Sequence, residues 1–214
     1  MSACSSRRVV WITNVAAPYR RPVWASIARS AELSVLLVEN RDRFLKGTGN
    51  RGREWADHQP SGYTVSEIPT FRVARGERIY YLARKLSALH RARPEAVVLG
   101  GWESPAYWQA LAWCKRHRIR TVGFYESTQT THRHRSGLIA LSRRWFFRRL
   151  DAVVVPGVAA RDAILAMGVE AHKIHVGFNA VDVQRIHDET ARQRSSTPVR
   201  SDAGHRYLYL GQLI

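Results

Sequence analysis

Short runs of apolar residues recur along the chain, and polar or turn-forming residues bound each of them. The first run includes two β-branched residues, Val9 and Val10. Continuous apolar runs of about four to eight residues are typical of strands buried on both faces. We therefore predict buried strands over Val9–Thr13, Leu33–Glu39, Tyr63–Ile68, Ala96–Leu99, Thr121–Tyr125, Ala152–Val155 and Lys173–Phe178.

Between most of these runs, apolar residues follow the spacing of an amphipathic helix. Ser104 before Pro105 suits a helix start, and Gly168 suits a helix end. Buried strands that alternate with helices predict an α/β fold, namely a doubly wound parallel sheet of Rossmann-like type. The first predicted helix begins near Pro22. The others cover Glu77–Arg91, Pro105–Arg116, Leu138–Arg149 and Val158–Met167.

The pattern also predicts how the chain is divided. We expect one Rossmann-like domain over residues 1–181, in which Asn40–Gly62 is a long polar loop. Residues 182–205 are polar and end in a Ser, Thr and Pro stretch, which is typical of a linker. Residues 206–214 read as a first strand and turn, so we expect them to begin a further domain.

The charge predicts an anionic partner. The 214 residues contain 34 Lys and Arg against 17 Asp and Glu, which gives a formal net charge of +17, and almost all the cations are arginine. Such a surface attracts nucleic acid, anionic lipid or phosphorylated substrates. No apolar run approaches the roughly 20 residues that span a bilayer, and the two cysteines form no metal or disulfide pattern. We therefore expect a cytoplasmic protein. The basic charge adds a second hypothesis, that the protein binds peripherally at the inner face of the plasma membrane.

Candidate site residues lie where predicted strands end, because open parallel sheets bind ligands outside the carboxyl ends of their strands. In the first such loop, Tyr19 and Arg20 stand at a helix start and can hold an anion. The alternative is a proline turn with solvated arginines. In the second loop, Gly100 and Gly101 allow close backbone approach and Trp102 and Glu103 follow, although a tight turn with Trp102 over the core explains the same residues.

The loop after Thr121–Tyr125 is the richest in chemical groups. Glu126 is the candidate catalytic residue, as a base, as a partner for a developing cation or as a hydrogen-bond acceptor, and Ser127 and Thr128 are candidate substrate contacts. His132 and His134 lack a neighbouring second carboxylate, so we interpret them as solvated loop residues and predict no metal.

The helix Leu138–Arg149 carries aromatic residues beside arginines. A helical projection places Leu138, Ile139, Leu141, Trp145, Phe146 and Leu150 toward the core. Phe147 then falls outside, between Arg143 and Arg144, and these three residues are candidate contacts with an anionic membrane. An ordinary amphipathic helix with one exposed aromatic is the alternative.

Two stretches carry a resemblance to a known family. Asp151–Ile164 and Met167–Asp182, the second with its Asn-Ala-Val-Asp turn, resemble the last strand, helix and turn of the N-terminal domain in retaining glycosyltransferase family 4, whose members have the two-domain GT-B fold. Residues 207–214 are similar to the first strand and glycine turn of the second, donor-binding domain. The resemblance implies that Asn179 contacts substrate, that Gly211 contacts the donor phosphate, and that the chain stops as the donor domain begins.

The resemblance also implies a function. A family 4 enzyme would move a sugar from a nucleoside diphosphate sugar to an acceptor hydroxyl with retention, without a metal or other cofactor. The basic surface favours a lipid-linked or cell-envelope acceptor. We expect the chain to be inactive alone, because the donor is held mainly by the second domain. A basic nucleic-acid- or anionic-surface-binding module without catalysis is the alternative, although no specific nucleic-acid-binding motif appears.

Overall fold

The computed structural model describes residues 7–39, 62–75, 78–132, 134–177 and 180–196. The predicted loop Asn40–Gly62 lies almost entirely outside these ranges, as do Asn179, Gly211 and the predicted strand of a further domain. The strands are β1 (Arg7–Thr13), β2 (Ala31–Leu37), β3 (Thr64–Glu67), β4 (Thr70–Arg75), β5 (Arg78–Ala83), β6 (Ala96–Leu99), β7 (Arg120–Phe124), β8 (Ala152–Val155) and β9 (Ile174–Val176). The α-helices are α1 (Arg21–Ala28), α2 (Ser87–Ala92), α3 (Pro105–Arg116), α4 (Gly137–Arg148), α5 (Val158–Ala166) and α6 (Val183–Ser196).

Within the described ranges, seven strands form one parallel sheet in the order β3-β2-β1-β6-β7-β8-β9. Alternate side chains of β1 enter different cores. Val10 and Ile12 pack in one buried cluster, and Trp11 packs in the other with Trp24 of α1. Because side chains of a strand point alternately to its two faces, the sheet is covered on both sides. The predicted Rossmann-like α/β fold is confirmed.

The predicted helix over Glu77–Arg91 is wrong for most of its length. Thr70–Arg75 and Arg78–Ala83 pair as the antiparallel strands β4 and β5, and of the described residues in the predicted range only those of α2 are helical. The side-chain amide of Gln109 on α3 satisfies the backbone of Ala83, accepting from its N–H at 2.8 Å and donating to its carbonyl at 3.1 Å. Tyr81 and Ala83 both enter the core, as alternate residues of a strand do. Ile79, Ala83 and Leu86 also fit the spacing of a helix, which explains the wrong prediction.

Residues 182–214 form a second unit, described over 182–196. Within the predicted linker of residues 182–205, the described part forms α6 over Val183–Ser196. Asp182 Oδ1 accepts a hydrogen bond from the Arg185 N–H at 3.0 Å, as an N-cap does, and Gln184 Nε2 donates to Asp188 Oδ1 one turn along. Local bonds therefore organise a polar stretch that has no buried face among its described side chains.

The helix α4 is rotated from our prediction, although Phe146 and Leu150 are buried as predicted. Phe147 is only 1% exposed, whereas Leu138 and Leu141 are 84% and 61% exposed. The cause lies in β7, where Gly123 has no side chain. A Cβ atom at Gly123 would stand 2.3 Å from Leu150 Cδ1 and 3.4 Å from Phe147 Cε1. The missing side chain lets Phe147 and Leu150 lie directly on the strand, which sets the rotation of α4.

We expect Gly123→Ala to lower the free energy of unfolding by about 1–3 kcal/mol, because the added methyl overpacks this contact. Gly157→Ala is the matched control, since a Cβ atom at Gly157 meets nothing within 4 Å. Urea unfolding followed by circular dichroism measures both. Equal stability of the Gly123→Ala and Gly157→Ala variants would contradict this account of how α4 is oriented.

Candidate functional site

The strands β1, β6 and β7 end together at one edge of the sheet. Their register pairs Ile12 with Leu99 and Leu99 with Gly123, so the loops that follow lie side by side. These loops surround a depression of about 300 Å³, which we call the small cleft. It is lined by eight of the candidate site residues, namely Tyr19, Arg20, Gly100, Gly101, Trp102, Glu103, Glu126 and Ser127.

An ion pair spans the small cleft. Arg20 Nη2 donates to Glu126 Oε1 at 2.5 Å. The guanidinium also lies over the Phe124 ring, with its carbon 4.2 Å from the ring centre, so Arg20 is held on two sides. The Glu126 side chain remains about half exposed. Its carboxylate is therefore oriented by Arg20 and still accessible from the cleft.

The glycine pair is required by packing within the protein. A Cβ atom at Gly101 would come within 2.6 Å of the Tyr107 ring, and one at Gly100 within 2.9 Å of the Ile12 carbonyl oxygen. The Tyr107 hydroxyl donates to Asn14 Oδ1 at 2.7 Å, which ties α3 to the loop after β1. The tight-turn interpretation thus explains both glycines, while their backbone still lines the small cleft.

A second depression of about 660 Å³, which we call the large cavity, adjoins the small cleft. The two share Asn14, Trp102, Glu103, Tyr125 and Ser127. Aromatic and aliphatic side chains supply much of the wall of the large cavity, including Trp108, Tyr80 and Ile139. A wall of this kind suits a ligand with an extended apolar or sugar-like surface.

His132 belongs to this cavity, and our interpretation of it as a solvated loop residue is wrong. Its Nε2 is hydrogen-bonded to the Tyr125 hydroxyl, and its Nδ1 lies 3.4 Å from Arg143 Nη2. Burial, then the positive charges of Arg143 and Arg135, lower the pKa of His132. Burial raises the pKa of Tyr125, although the charge of Arg143 opposes that rise. At neutral pH the pair is therefore uncharged.

Two of the three predicted membrane contacts point elsewhere. Phe147 is buried against β7, and Arg143 is only 7% exposed and lines the large cavity. Arg144 is exposed, as predicted. The sequence did not indicate that Phe147 and Arg143 are buried, because the residue spacing in α4 is compatible with more than one buried face. The residue that selects the face, Gly123, lies outside the helix.

The remaining candidates are placed as follows. Thr128 lines neither depression and instead closes its own turn, where its N–H donates to Thr131 Oγ1 at 2.9 Å. Asn179 and Gly211 lie outside the described residues. In the described part of the chain, no three His, Cys, Asp or Glu side chains are grouped to hold a metal ion. No described helix has the length and apolar character needed to cross a bilayer.

The fold and its loop-lined edge define a class, the N-terminal Rossmann-like domain of GT-B proteins. Two solved structures share it: UDP-N-acetylglucosamine 2-epimerase from Rickettsia bellii, with a TM-score of 0.51 and 14% identity, and Anabaena Alr3699/HepE in complex with UDP and glucose, with a TM-score of 0.53 and 12% identity. The matches cover 90% and 88% of this chain but 49% and 50% of those chains. The chain thus spans about half the length of these proteins.

Sequence comparison identifies the family. Residues 29–185, more than half of the chain, match Glycosyltransferase Family 4. No curated protein matches the chain significantly by sequence. The chain belongs to Glycosyltransferase Family 4, which confirms the resemblance seen in its last strand, helix and turn.

The lowered pKa of His132 predicts how stability depends on pH. As the pH falls through about 6.5, the ordinary histidine pKa, the unfolded chain binds this proton before the folded chain does. The contribution of His132 to stability is therefore present above pH 6.5 and is lost as the pH falls through the lower folded pKa.

Urea unfolding at pH 7.5 and 5.5 should show a smaller pH-dependent loss of unfolding free energy for His132→Gln than for wild type. His175→Gln, at an exposed position, should retain the wild-type loss; equal losses in all three proteins would contradict the assignment.

Proposed function

We propose that this chain supplies the acceptor-side half of a retaining glycosyltransferase. The reaction would move a sugar from a nucleoside diphosphate sugar to an acceptor hydroxyl without a metal ion. Membership of Glycosyltransferase Family 4 supports transfer, and the similar Anabaena structure contains UDP and glucose. The observation that carries the proposal is the shared edge of β1, β6 and β7, where three loops bring Arg20, Gly101 and Glu126 into one cleft.

Glu126 is the proposed catalytic residue. Its carboxylate accepts a hydrogen bond from the acceptor hydroxyl or balances the positive charge that develops on the transferred sugar. Arg20 orients that carboxylate through their 2.5 Å contact. Tyr19, Trp102, Glu103 and Ser127 would contact the acceptor across the small cleft, where an aromatic surface and hydroxyl and carboxylate groups suit a sugar.

The donor would be bound mainly by a second domain that carries Gly211 at its start. The chain spans about half the length of the GT-B structures that it resembles, which supports this division of labour. By itself the chain would then present an acceptor cleft without most of the contacts to the nucleotide. We therefore propose that residues 1–214 transfer little or no sugar alone.

Donor turnover tests the proposal. Release of the nucleoside diphosphate from UDP-glucose and other nucleoside diphosphate sugars is measured for the chain alone and for a longer chain that carries a donor domain after Ile214. We expect background release from the first and acceptor-dependent release from the second. In the longer chain, Glu126→Gln should lower kcat by roughly a hundredfold or more.

Glu32→Gln, at an exposed position on β2, is the matched control and should retain kcat. Clear turnover by residues 1–214 alone would refute the proposed division between two domains. An unchanged kcat in Glu126→Gln would refute its catalytic role. A duplex DNA mobility shift that survives physiological salt, without turnover by either chain, would favour the non-catalytic basic module.

The exposed face of α4 supports a membrane-bound acceptor. Leu138, Leu141 and Trp145 stand three or four residues apart on this face, and Trp145 is 45% exposed. The Arg149 guanidinium lies 3.6 Å from the centre of the Trp145 ring, and Arg144 is exposed nearby. Apolar side chains beside arginines are typical of helices that lie on anionic lipid.

The same helix borders the large cavity through Ile139, which is adjacent to the exposed Leu138. A lipid-linked or cell-envelope acceptor could therefore enter the cavity from a bilayer against which α4 rests. We propose that the protein is cytoplasmic and binds peripherally at the inner face of the plasma membrane. These apolar contacts replace Phe147 and Arg143 of our sequence-based prediction.

Vesicle binding tests the membrane surface. The double variant Leu138→Ser and Leu141→Ser should bind vesicles of phosphatidylglycerol and phosphatidylcholine about tenfold or more weakly than wild type, because two large apolar groups no longer enter the lipid. Val158→Ser with Val176→Ser, two other exposed apolar positions, is the control and should bind as wild type does. Cosedimentation at low salt measures the bound fraction. Absence of wild-type binding, or equal binding by both double variants, would refute this surface.

A further inference from the structure

Arg143 is a buried cation, and none of the described carboxylates forms an ion pair with it. Its Nη2 donates to the His134 carbonyl at 3.0 Å and lies 3.4 Å from His132 Nδ1. Its Nε is buried and makes no hydrogen bond within the described part of the protein. None of the ion pairs among the described residues includes this guanidinium. The described residues therefore satisfy the hydrogen bonds of Arg143 only in part and do not balance its charge by direct contact.

Such a charge is costly to bury. Removing an ion from water costs several kcal/mol unless an opposite charge and hydrogen bonds replace the lost solvation. The Trp102 ring, whose centre is 5.7 Å from the guanidinium carbon, offsets only part of this cost. An anion bound beside Arg143 would supply the compensation that the described side chains do not provide.

More cations surround the same position. A third depression, of about 290 Å³, shares His132 and Arg143 with the large cavity and is also lined by Arg135 and Arg144. We call it the basic pocket. No carboxylate is among its described lining residues. The one carboxylate among the described residues of the large cavity, Glu103, accepts a hydrogen bond from the Trp102 N–H at 3.1 Å and makes none to Arg143.

We propose that the acceptor bears a phosphate group and that Arg143, assisted by Arg135 and Arg144, binds it where the large cavity meets the basic pocket. A phosphate ester carries more negative charge than a carboxylate and has three acceptor oxygens, which suits several converging guanidinium groups. The apolar wall of the large cavity would hold the rest of the molecule, and the neighbouring small cleft its reacting hydroxyl. This inference rests on the proposed function, because it assigns the substrate class of that site.

Binding without any nucleotide sugar tests the phosphate site. The 214-residue chain is titrated calorimetrically with two phosphate esters, glycerol 3-phosphate and geranyl phosphate, and with the corresponding alcohols, glycerol and geraniol. We expect at least one ester to bind and its alcohol to bind at least tenfold more weakly. A higher affinity for geranyl phosphate than for glycerol 3-phosphate would identify the ligand as a lipid phosphate. Equal affinity for the two esters would show that the phosphate is recognised without a lipid tail.

Substitutions assign the binding to Arg143. Arg143→Gln should weaken ester binding by about tenfold to a hundredfold, the effect of losing charged hydrogen bonds, and Arg143→Lys should fall between this variant and wild type. Arg116→Gln is the matched control, because Arg116 is exposed on α3 and lines none of the three depressions. If Arg143→Gln does not fold, the double variant Arg135→Gln and Arg144→Gln, at exposed positions, should show weaker binding with an unchanged circular dichroism spectrum.

The outcomes separate this inference from the proposed function. Failure of both esters to bind, or equal ester affinity in wild type and in the folded arginine variants, would overturn the phosphate site whatever the turnover assay shows. Arginine-dependent ester binding without sugar transfer by the longer chain would support the phosphate site and refute the proposed transferase activity.

Discussion

The close approach of α4 to β7 at Gly123 is the contact on which the candidate site depends. Because Gly123 has no side chain, Phe147 and Leu150 reach the strand directly. That contact turns Arg143 toward the large cavity and leaves Leu138 and Leu141 in solvent. One missing side chain in a strand thus determines which side of a neighbouring helix faces the large cavity and which faces outward.

Parallel register is the second constraint. Since β1, β6 and β7 run in the same direction and their ends align, loops more than a hundred residues apart in sequence meet at one edge. The Arg20–Glu126 ion pair is the direct result, and it joins the first and third of these loops. The proposed acceptor chemistry needs this convergence, because the Glu126 carboxylate and the Trp102 ring come from different loops.

The sequence predicted the fold well where burial alone decides structure. The strand Ala96–Leu99 and the helix Pro105–Arg116 form over the predicted residues, since an apolar run or an apolar face must be buried in either case. The helix prediction at Glu77–Arg91 was wrong because Ile79, Leu82 and Leu86 fit a helical spacing. In the structure, Gln109 of the distant helix α3 accepts a hydrogen bond from the backbone N–H of Ala83 at the end of β5. Within the predicted linker, Asp182 caps the first turn of α6, a local bond that the polar composition of this stretch did not lead us to predict.

By itself, the sequence determined the α/β class, the positions of the strand ends and hence most residues of the small cleft, because periodicity and loop position are local properties of the chain. Only the tertiary structure decided which face of α4 is buried and that Arg143 and His132 belong to a cavity. A helix whose apolar and cationic residues occur on several sides has two acceptable rotations, and the choice depends on the surface against which it packs. Here that surface is β7 at Gly123, where the lack of a side chain leaves room for Phe147 and Leu150. The periodicity of residues within the helix cannot indicate a feature of a neighbouring strand.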